Sequence, residues 1–522
     1  AGSSTVGPRC GSRAGTTATV LLRNTIVAEN KNLSSGDSDV GGTVSSSSTY
    51  NLLGRGGAGG LTGGTNGNIV LSGSQNAGLA PLADYGGRTK THALLNSSPA
   101  IDKGKNYLAA VLDQRGGART YDFPGIANAT GGDGTDIGAY EAGTFTTLTV
   151  RTTNDRLNTT IDPDDLSLRE ALALADSLAG RDTIVFDPAL YESGPATFVL
   201  SYDGDDPGTA PDALQINSDV TLAGPGADKL ALDGDGQARV IEHEAGELLI
   251  QGVTITGGDS WGGAGIRSYG DLTVQASRIH DNRAVTHGAG IASHGSLLVV
   301  DSEISENYLT WSNGGWGAGI QSSGLGDLHI INSTISGNYT VGSSRGGGVH
   351  VYMATAGDYD VIIINSTIAN NRANQGGGIY SETGSGAAPV VEIHNSIVSE
   401  NFKVDQTTPS DIGGNNVLGA SSHNLIGTGG SGGLTHNSNG NTGLSGSQSA
   451  RLAPLPFYRG PTPTPPPYYD SPAGHAGDNL VAEAYDLVFD QRGKSRFVDY
   501  DYDSDDRVDI GAVELALGEI WE

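Results

Sequence analysis

The feature that most constrains this chain is a short segment that returns five times. LTVQASRIHDN begins at Leu272, LLVVDSEISEN at Leu297, LHIINSTISGN at Leu328, VIIINSTIANN at Val361 and VEIHNSIVSEN at Val391. ELLIQGVTITGG, from Glu247, is a weaker first member; start-to-start spacings are, by subtraction, 25, 25, 31, 33 and 30 residues. A period of roughly 20 to 50 residues marks stacked supersecondary units, each burying its apolar strip only against its neighbours. Within each copy apolar and polar residues alternate, the period of a half-buried strand, and no helical spacing is present.

Each repeat carries a second landmark, a glycine cluster leading into an apolar residue. GGAGI ends at Ile266, HGAGI at Ile291, WGAGI at Ile320, RGGGV at Val349 and QGGGI at Ile379. These read as a second strand entered through a tight turn, and signals such as SYGD, SHGS and SGLGD close the coil. Stacking sets like on like. Ile279, Ile304, Ile335, Ile368 and Val398 form one predicted internal ladder; Ile266, Ile291, Ile320, Val349 and Ile379 form the other. Asn282, Asn307, Asn338, Asn371 and Asn401 stand at the bend three residues after the first ladder, where stacked amides bond from coil to coil. The expected fold is all-β, a right-handed parallel β-helix whose regular coils span residues 247–402.

Composition agrees with a narrow core: 81 of 522 residues are glycine, yet 36% are hydrophobic. With 58 acidic against 29 basic side chains, net charge −29, there is no basic stripe to neutralise nucleic-acid phosphates. The single cysteine, Cys10, excludes an intramolecular disulfide framework. No run of 18 apolar residues is present, so no membrane span is expected.

Before the coils, TLTVRTTNDRLNTTIDPDDLSLREALALADSLAGRDTIVFDPAL (Thr147 to Leu190) contains one helix near 165–178. Asp164 or Asp165 is placed to cap it, and Leu168, Ala171, Leu172 and Ala175 give its apolar face. Such a helix covers an otherwise exposed solenoid end. LSLREAL with TIVFDPAL resembles the CSLREA-type opening segment of bacterial β-helix surface proteins, with Leu166 where that family has its cysteine. FDQRGKSRF (Phe489 to Phe497) followed by DYDYDSDDRVDIGAVE, ending at Glu514, resembles the choice-of-anchor Q ending; LDQRGGART from Leu112, with GGDGTDIGAYE ending at Glu141, repeats it. The resemblance implies a secreted or cell-surface parallel β-helix and little about biochemical role.

A longer repeat overlies the short one. NTIVAEN ending at Asn30 returns as NSIVSEN ending at Asn401, SDVGG from Ser38 as SDIGG from Ser410, LSGSQ from Leu71 at Leu444, and DQRG from Asp113 at Asp490. The offsets, by subtraction, are 371, 372, 373 and 377, one register. Four regions are expected: 1–143, the closing part of a first module; 144–246, the opening segment and first coils of a second; 247–402, regular coils; 403–522, a closing region. Tandem modules of this kind predict self-association head to tail, or flanking modules of a longer chain.

Candidate chemistry is sparse. Asp499, Asp501, Asp503, Asp505 and Asp509 alternate as calcium ligands do, without the glycine and terminal glutamate of an EF-hand. GGDGTDIG, with Asp133 and Asp136, fits the calcium nonapeptide pattern once. Calcium is the only cofactor the sequence points to. Trp261, Trp311 and Trp316 lie in loops leading to the glycine strand, and Tyr308 and Tyr339 follow the ladder asparagines; they read as glycan-stacking candidates or as covers over the ladder below. Catalysis on sugars needs converging carboxylates, and the column of Asp281, Glu306 and Glu400 is interrupted by Gly337 and Asn370. No catalytic residues are assigned. The reading is an extracellular structural or adhesive surface or fibre protein; the alternative is a polysaccharide lyase or glycoside hydrolase on the same scaffold. If the aspartate run binds calcium, a chelator lowers the melting temperature and added calcium restores it by mass action. Melting unchanged across millimolar calcium, followed by calorimetry, removes that assignment.

Overall fold

Each repeated segment folds as two short strands, because a residue with positive φ breaks it in the middle. Ala276 (φ 46°), Asp301 (51°), Asn332 (51°), Asn365 (43°) and Asn395 (47°) hold that position. Left-handed backbone is tolerated best by Asn and Asp, which supply four of the five. The single alternating strand expected from the sequence is thus a strand, a corner and a second strand. The structure is a computed structural model describing residues 20–515 except 87–88, 108–109, 111, 124–125, 144–145, 179, 203–212, 325, 354–359, 384–390, 415–416, 456–459 and 499–506.

Three parallel sheets result. The first takes Val220–Ala223, Glu247–Gln251, Asp271–Gln275, Leu297–Val300, Leu328–Ile331, Val361–Ile364 and Val391–His394 in that order. The second runs from Ala196–Val199 through Arg278–His280, Glu303–Ser305, Thr334–Ser336 and Thr367–Ala369 to Thr442–Gly443. The third, the glycine strands, runs from Leu214–Ile216 through Ile241–His243, Ile266–Ser268, Ile291–Ser293, Ile320–Ser323, Val349–Met353 and Ile379–Thr383 to Ile412–Gly414. Successive coils pair in strict register, Ile304 on Ile335 on Ile368 in the second sheet and Ile291 on Ile320 on Val349 in the third. This is a right-handed parallel β-helix.

Both predicted ladders point inward and are buried along their whole length. The first sheet adds two more, Leu272–Leu297–Leu328–Val361–Val391 and Val274–Val299–Ile330–Ile363–Ile393. Each fully buried aliphatic side chain contributes on the order of 1.5–3 kcal/mol.

The asparagine ladder is present and fully buried. From Asn282 to Asn307, Asn338, Asn371 and Asn401, each residue donates its backbone N–H and side-chain Nδ2 to the next residue's Oδ1, at 2.9–3.1 Å. The ladder ends on an acid: Asn401 makes the same pair of bonds, 3.0 Å each, to Asp411. A serine ladder runs beside it at the other corner, Ser277, Ser302, Ser333, Ser366 and Ser396, each N–H bonded to the next hydroxyl at 3.1 Å. The residues just before the asparagines, Asp281, Glu306, Gly337, Asn370 and Glu400, all have positive φ, between 54° and 70°. The five residues of that column thus share one left-handed corner of the coil.

The leading helix is Leu168–Ser177. Its cap is Ser167, not Asp164 or Asp165. Glu170 N–H donates to Ser167 Oγ at 3.1 Å and Ser167 N–H to Glu170 Oε2 at 3.0 Å, a capping box. Asp164 and Asp165 belong to a separate 3-10 turn, Pro163–Asp165, capped by Asp162. Arg169 reaches back from the helix to Asp155 in a bidentate pair at 2.7 and 2.9 Å.

Chain contacts divide the protein into two units, the first comprising residues up to Val150 with Asn158–Leu166 and Ala173–Ile184, the second the remainder. Within the first, Ile26–Val27, Leu52–Leu53 and Ile69–Val70 form a three-stranded parallel sheet. Its side-chain bonds copy the second unit's. Asn30 N–H donates to Asp39 as Asn401 does to Asp411, and Asn51 bonds Asn68 as Asn424 bonds Asn441. Asn338→Ala should cost on the order of 2–4 kcal/mol, since it orphans the donors of Asn307 and the carbonyl of Ile304. Chemical denaturation checks this; an unchanged midpoint would deny the ladder its structural role.

Candidate functional site

The loops leading into the glycine strands form a small sheet of their own, Asp259–Gly262, Arg283–His287 and Tyr308–Leu309. Under them lies a cluster of Ala264, Ala284, Ala289, Leu309 and Ala318, filled without any indole ring. Trp261 and Trp311 stand outside it, 63% and 40% exposed, with ring centroids 5.8 Å apart and planes at 70°. The middle strand fixes both: Thr286 Oγ1 donates to Trp261 O at 2.9 Å, and Trp311 N–H to Val285 O at 2.9 Å. The other predicted aromatics take no part in that pair. Trp316 pairs with His287 and Arg345 in the backbone ladder, its ring 6.5 Å from His350. Tyr308 and Tyr339 stack on each other, centroids 5.2 Å apart. The five residues therefore make three separate features, of which the Trp261–Trp311 pair presents the most indole surface.

Asp259 and Ser260, which precede Trp261 in its strand, line a cleft of 370 Å³ together with Gln215, Gln237, Arg239, Glu242, Glu244 and Arg267. Gln215, Glu242 and Arg267 stand in one column across three strands of the third sheet and face outward, opposite the ladder residues flanking them. Glu242 is buried between two guanidinium groups: Arg267 Nε donates to Oε1 at 2.6 Å and Arg239 Nη1 to Oε2. Arg239 also donates to Gly263 O at 2.9 Å and Gly262 O at 2.8 Å, tying the cleft floor to the Trp261 loop. Arg283 bonds Asp259 at 2.5 Å on the cleft's edge. Arg239 and Glu242 carry no signal in the sequence, since they fall in irregular coils before the clear repeats begin.

Further along the same outward column, His350 and Tyr380 occupy neighbouring rungs with rings stacked at 5.9 Å. His350 Nε2 lies 3.2 Å from Glu382 Oε1, and Arg345 bonds the other carboxylate oxygen. Burial pushes the His350 imidazole below its ordinary pKa, while its hydrogen bond from His350 holds Glu382 low.

The structure parts the calcium candidates. Asp499, Asp501, Asp503 and Asp505 lie outside the described residues. Asp133 is exposed and accepts from Asn106 N–H at 3.0 Å. Asp136 is buried, its two oxygens taken by the N–H groups of Asp102 (2.7 Å) and Ala142 (2.6 Å). Asp509 repeats this with His475 and Leu515, both at 2.7 Å. Among the described residues no group of three or more His, Cys, Asp or Glu is placed to hold a metal ion. Asp136 and Asp509 instead belong to buried clusters built by the repeated closing motif. Arg119 pairs with Glu141 at 3.2 Å and Arg115 with Asp113 at 2.8 Å; Arg496 pairs with Glu514 at 3.6 Å and Arg492 with Asp490 at 2.7 Å.

Residues 238–442 match the family model described as the right handed beta helix region. No curated protein matches the chain. Among solved structures, pectate lyase Pel9A is similar at 15% identity, over 70% of this chain and 96% of that one, with a TM-score of 0.40. At that level nothing of the lyase's activity transfers. No helix among the described residues is long and apolar enough to cross a membrane.

Burial raises Asp509 to about 6, Asp136 to about 7 and Glu141 to about 8, and pushes Glu514 well above its ordinary value. Carboxyls whose folded pKa is raised stabilise fully below the unfolded value of about 4, and that contribution is lost as pH rises through the folded values. Melting temperature should therefore fall between about pH 4 and pH 8, and Glu141→Gln with Glu514→Gln should flatten the slope. Calorimetry across that window checks it; stability rising steadily toward pH 8 would contradict it.

Proposed function

We propose that this chain is an extracellular adhesive protein whose β-helix presents a carbohydrate-binding surface. Trp261 and Trp311 supply the stacking platform, and the cleft floored by Arg239, Glu242 and Arg267 supplies hydrogen bonds. The observation that carries this reading is the exposed indole pair held by a strand of the solenoid rather than buried over its core. Aromatic rings offer apolar faces to the C–H surface of a sugar, and fixing them beforehand removes the ordering cost of binding. Net charge −29 suits a soluble chain at a cell exterior.

One observation favours an enzyme as the second reading, the His350–Glu382 pair on the outward side of the third sheet, with the imidazole itself buried. A histidine hydrogen-bonded to a carboxylate is an arrangement that general-base chemistry uses. Release of reducing or unsaturated ends from polysaccharide, abolished in His350→Ala, would favour this reading. Calcium held by Asp499, Asp501, Asp503 and Asp505, and head-to-tail self-association of tandem modules, are further proposals of the same kind. The binding reading predicts that the double variant Trp261→Ala, Trp311→Ala loses at least tenfold in glycan affinity at unchanged melting temperature. Affinity electrophoresis through a panel of polysaccharides measures it; equal retardation of variant and parent would overturn the proposal.

A further inference from the structure

The arginines around the Trp261–Trp311 pair are already occupied. Arg239 and Arg267 both bond Glu242, and Arg283 bonds Asp259. Farther along the same sheet Arg345 bonds Glu382. At the cleft, three guanidinium groups (Arg239, Arg267, Arg283) face three carboxylates (Glu242, Glu244, Asp259), so no net positive charge results. Resting on the carbohydrate reading, we propose that the ligand is a neutral glycan and that this surface excludes uronate-bearing polymers.

Charge complementarity acts as the filter. A ligand carboxylate is held by guanidinium forks offered to it, and each fork here serves a protein carboxylate. Recruiting Arg267 or Arg239 to a ligand would leave Glu242, which is buried, with half its pairing, the costly way to break a buried ion pair. Glu244 is exposed at the cleft, and the chain as a whole carries −29, so a polyanion approaches against the field. A neutral sugar meets none of these costs. Its hydroxyls find the amides of Gln215 and Gln237 and the hydroxyl of Ser260 in the cleft, while its C–H face meets the indoles. Binding of that kind does not depend on ionic strength, because nothing in it is screened.

The test compares a neutral β-glucan, a neutral mannan and polygalacturonate by affinity electrophoresis and calorimetry, at 20 and 500 mM salt (about a fivefold change in Debye length). Expected is binding to a neutral polymer, independent of salt and lost in the double tryptophan variant, with no binding to polygalacturonate. Glu244→Arg adds an unpaired cation at the cleft and should confer salt-sensitive polygalacturonate binding, at least tenfold above the parent. Tryptophan-dependent polygalacturonate binding by the parent would overturn the neutral-ligand inference and leave the carbohydrate reading standing. Failure of Glu244→Arg to gain uronate binding would overturn charge balance as the filter. Binding to none of the three polymers would overturn the inference together with the reading it rests on.

Discussion

Everything in the second unit depends on one repeated bond, the side-chain oxygen of an asparagine accepting both the N–H and the Nδ2 of the asparagine one coil before. A coil closes only if the chain turns sharply at the same height each time, and a sharp turn leaves backbone groups without strand partners. Buried orphans of that sort cost about 1–3 kcal/mol each. The asparagine ladder satisfies them at one corner and the serine ladder at another, so the apolar ladders between them fall into register. The carbonyls are served too: Asn338 Nδ2 reaches Ile304 O in the coil before it, at 2.9 Å.

Holding the corners fixed frees the loops. Coil spacing grows from 25 to 33 residues without disturbing strand register, because the additions fall outside the paired strands. The Trp261 and Trp311 loops share a short sheet over an alanine-rich cluster, so they are continuous with the solenoid. Rigid presentation and sequence freedom coexist there, the condition for a binding surface.

Much of this was legible beforehand. The ladders of Ile335 and Ile320 and the asparagine column were readable because stacking forces like onto like, and that leaves a periodic trace. The split of each repeat into two strands was less so: it turns on positive φ at residues such as Asp301 and Asn332, which pattern alone reads as polar positions of one strand. Two aspartates upstream resemble better helix caps in sequence, yet the reciprocal bonds with Glu170 make Ser167 the cap. For Asp136 and Asp509 spacing shows a carboxylate but not the backbone N–H groups that bond its oxygens. The Arg239–Glu242–Arg267 cleft left no trace, since it is assembled from single residues on successive, irregular coils.

The two closing clusters show the same economy. Asp113, Arg115, Arg119, Asp136 and Glu141 reproduce among themselves the bonds made by Asp490, Arg492, Arg496, Asp509 and Glu514, so one motif builds one buried network twice. Both networks, like the coils, rest on backbone N–H groups bonded to buried side-chain oxygens. Native-state hydrogen exchange tests that dependence most directly. The backbone amides of Asn282, Asn307, Asn338 and Asn371 should rank among the slowest in the chain and should exchange together, only when the coils open as a unit. Rapid exchange at these four positions, each at its own rate, would contradict the account.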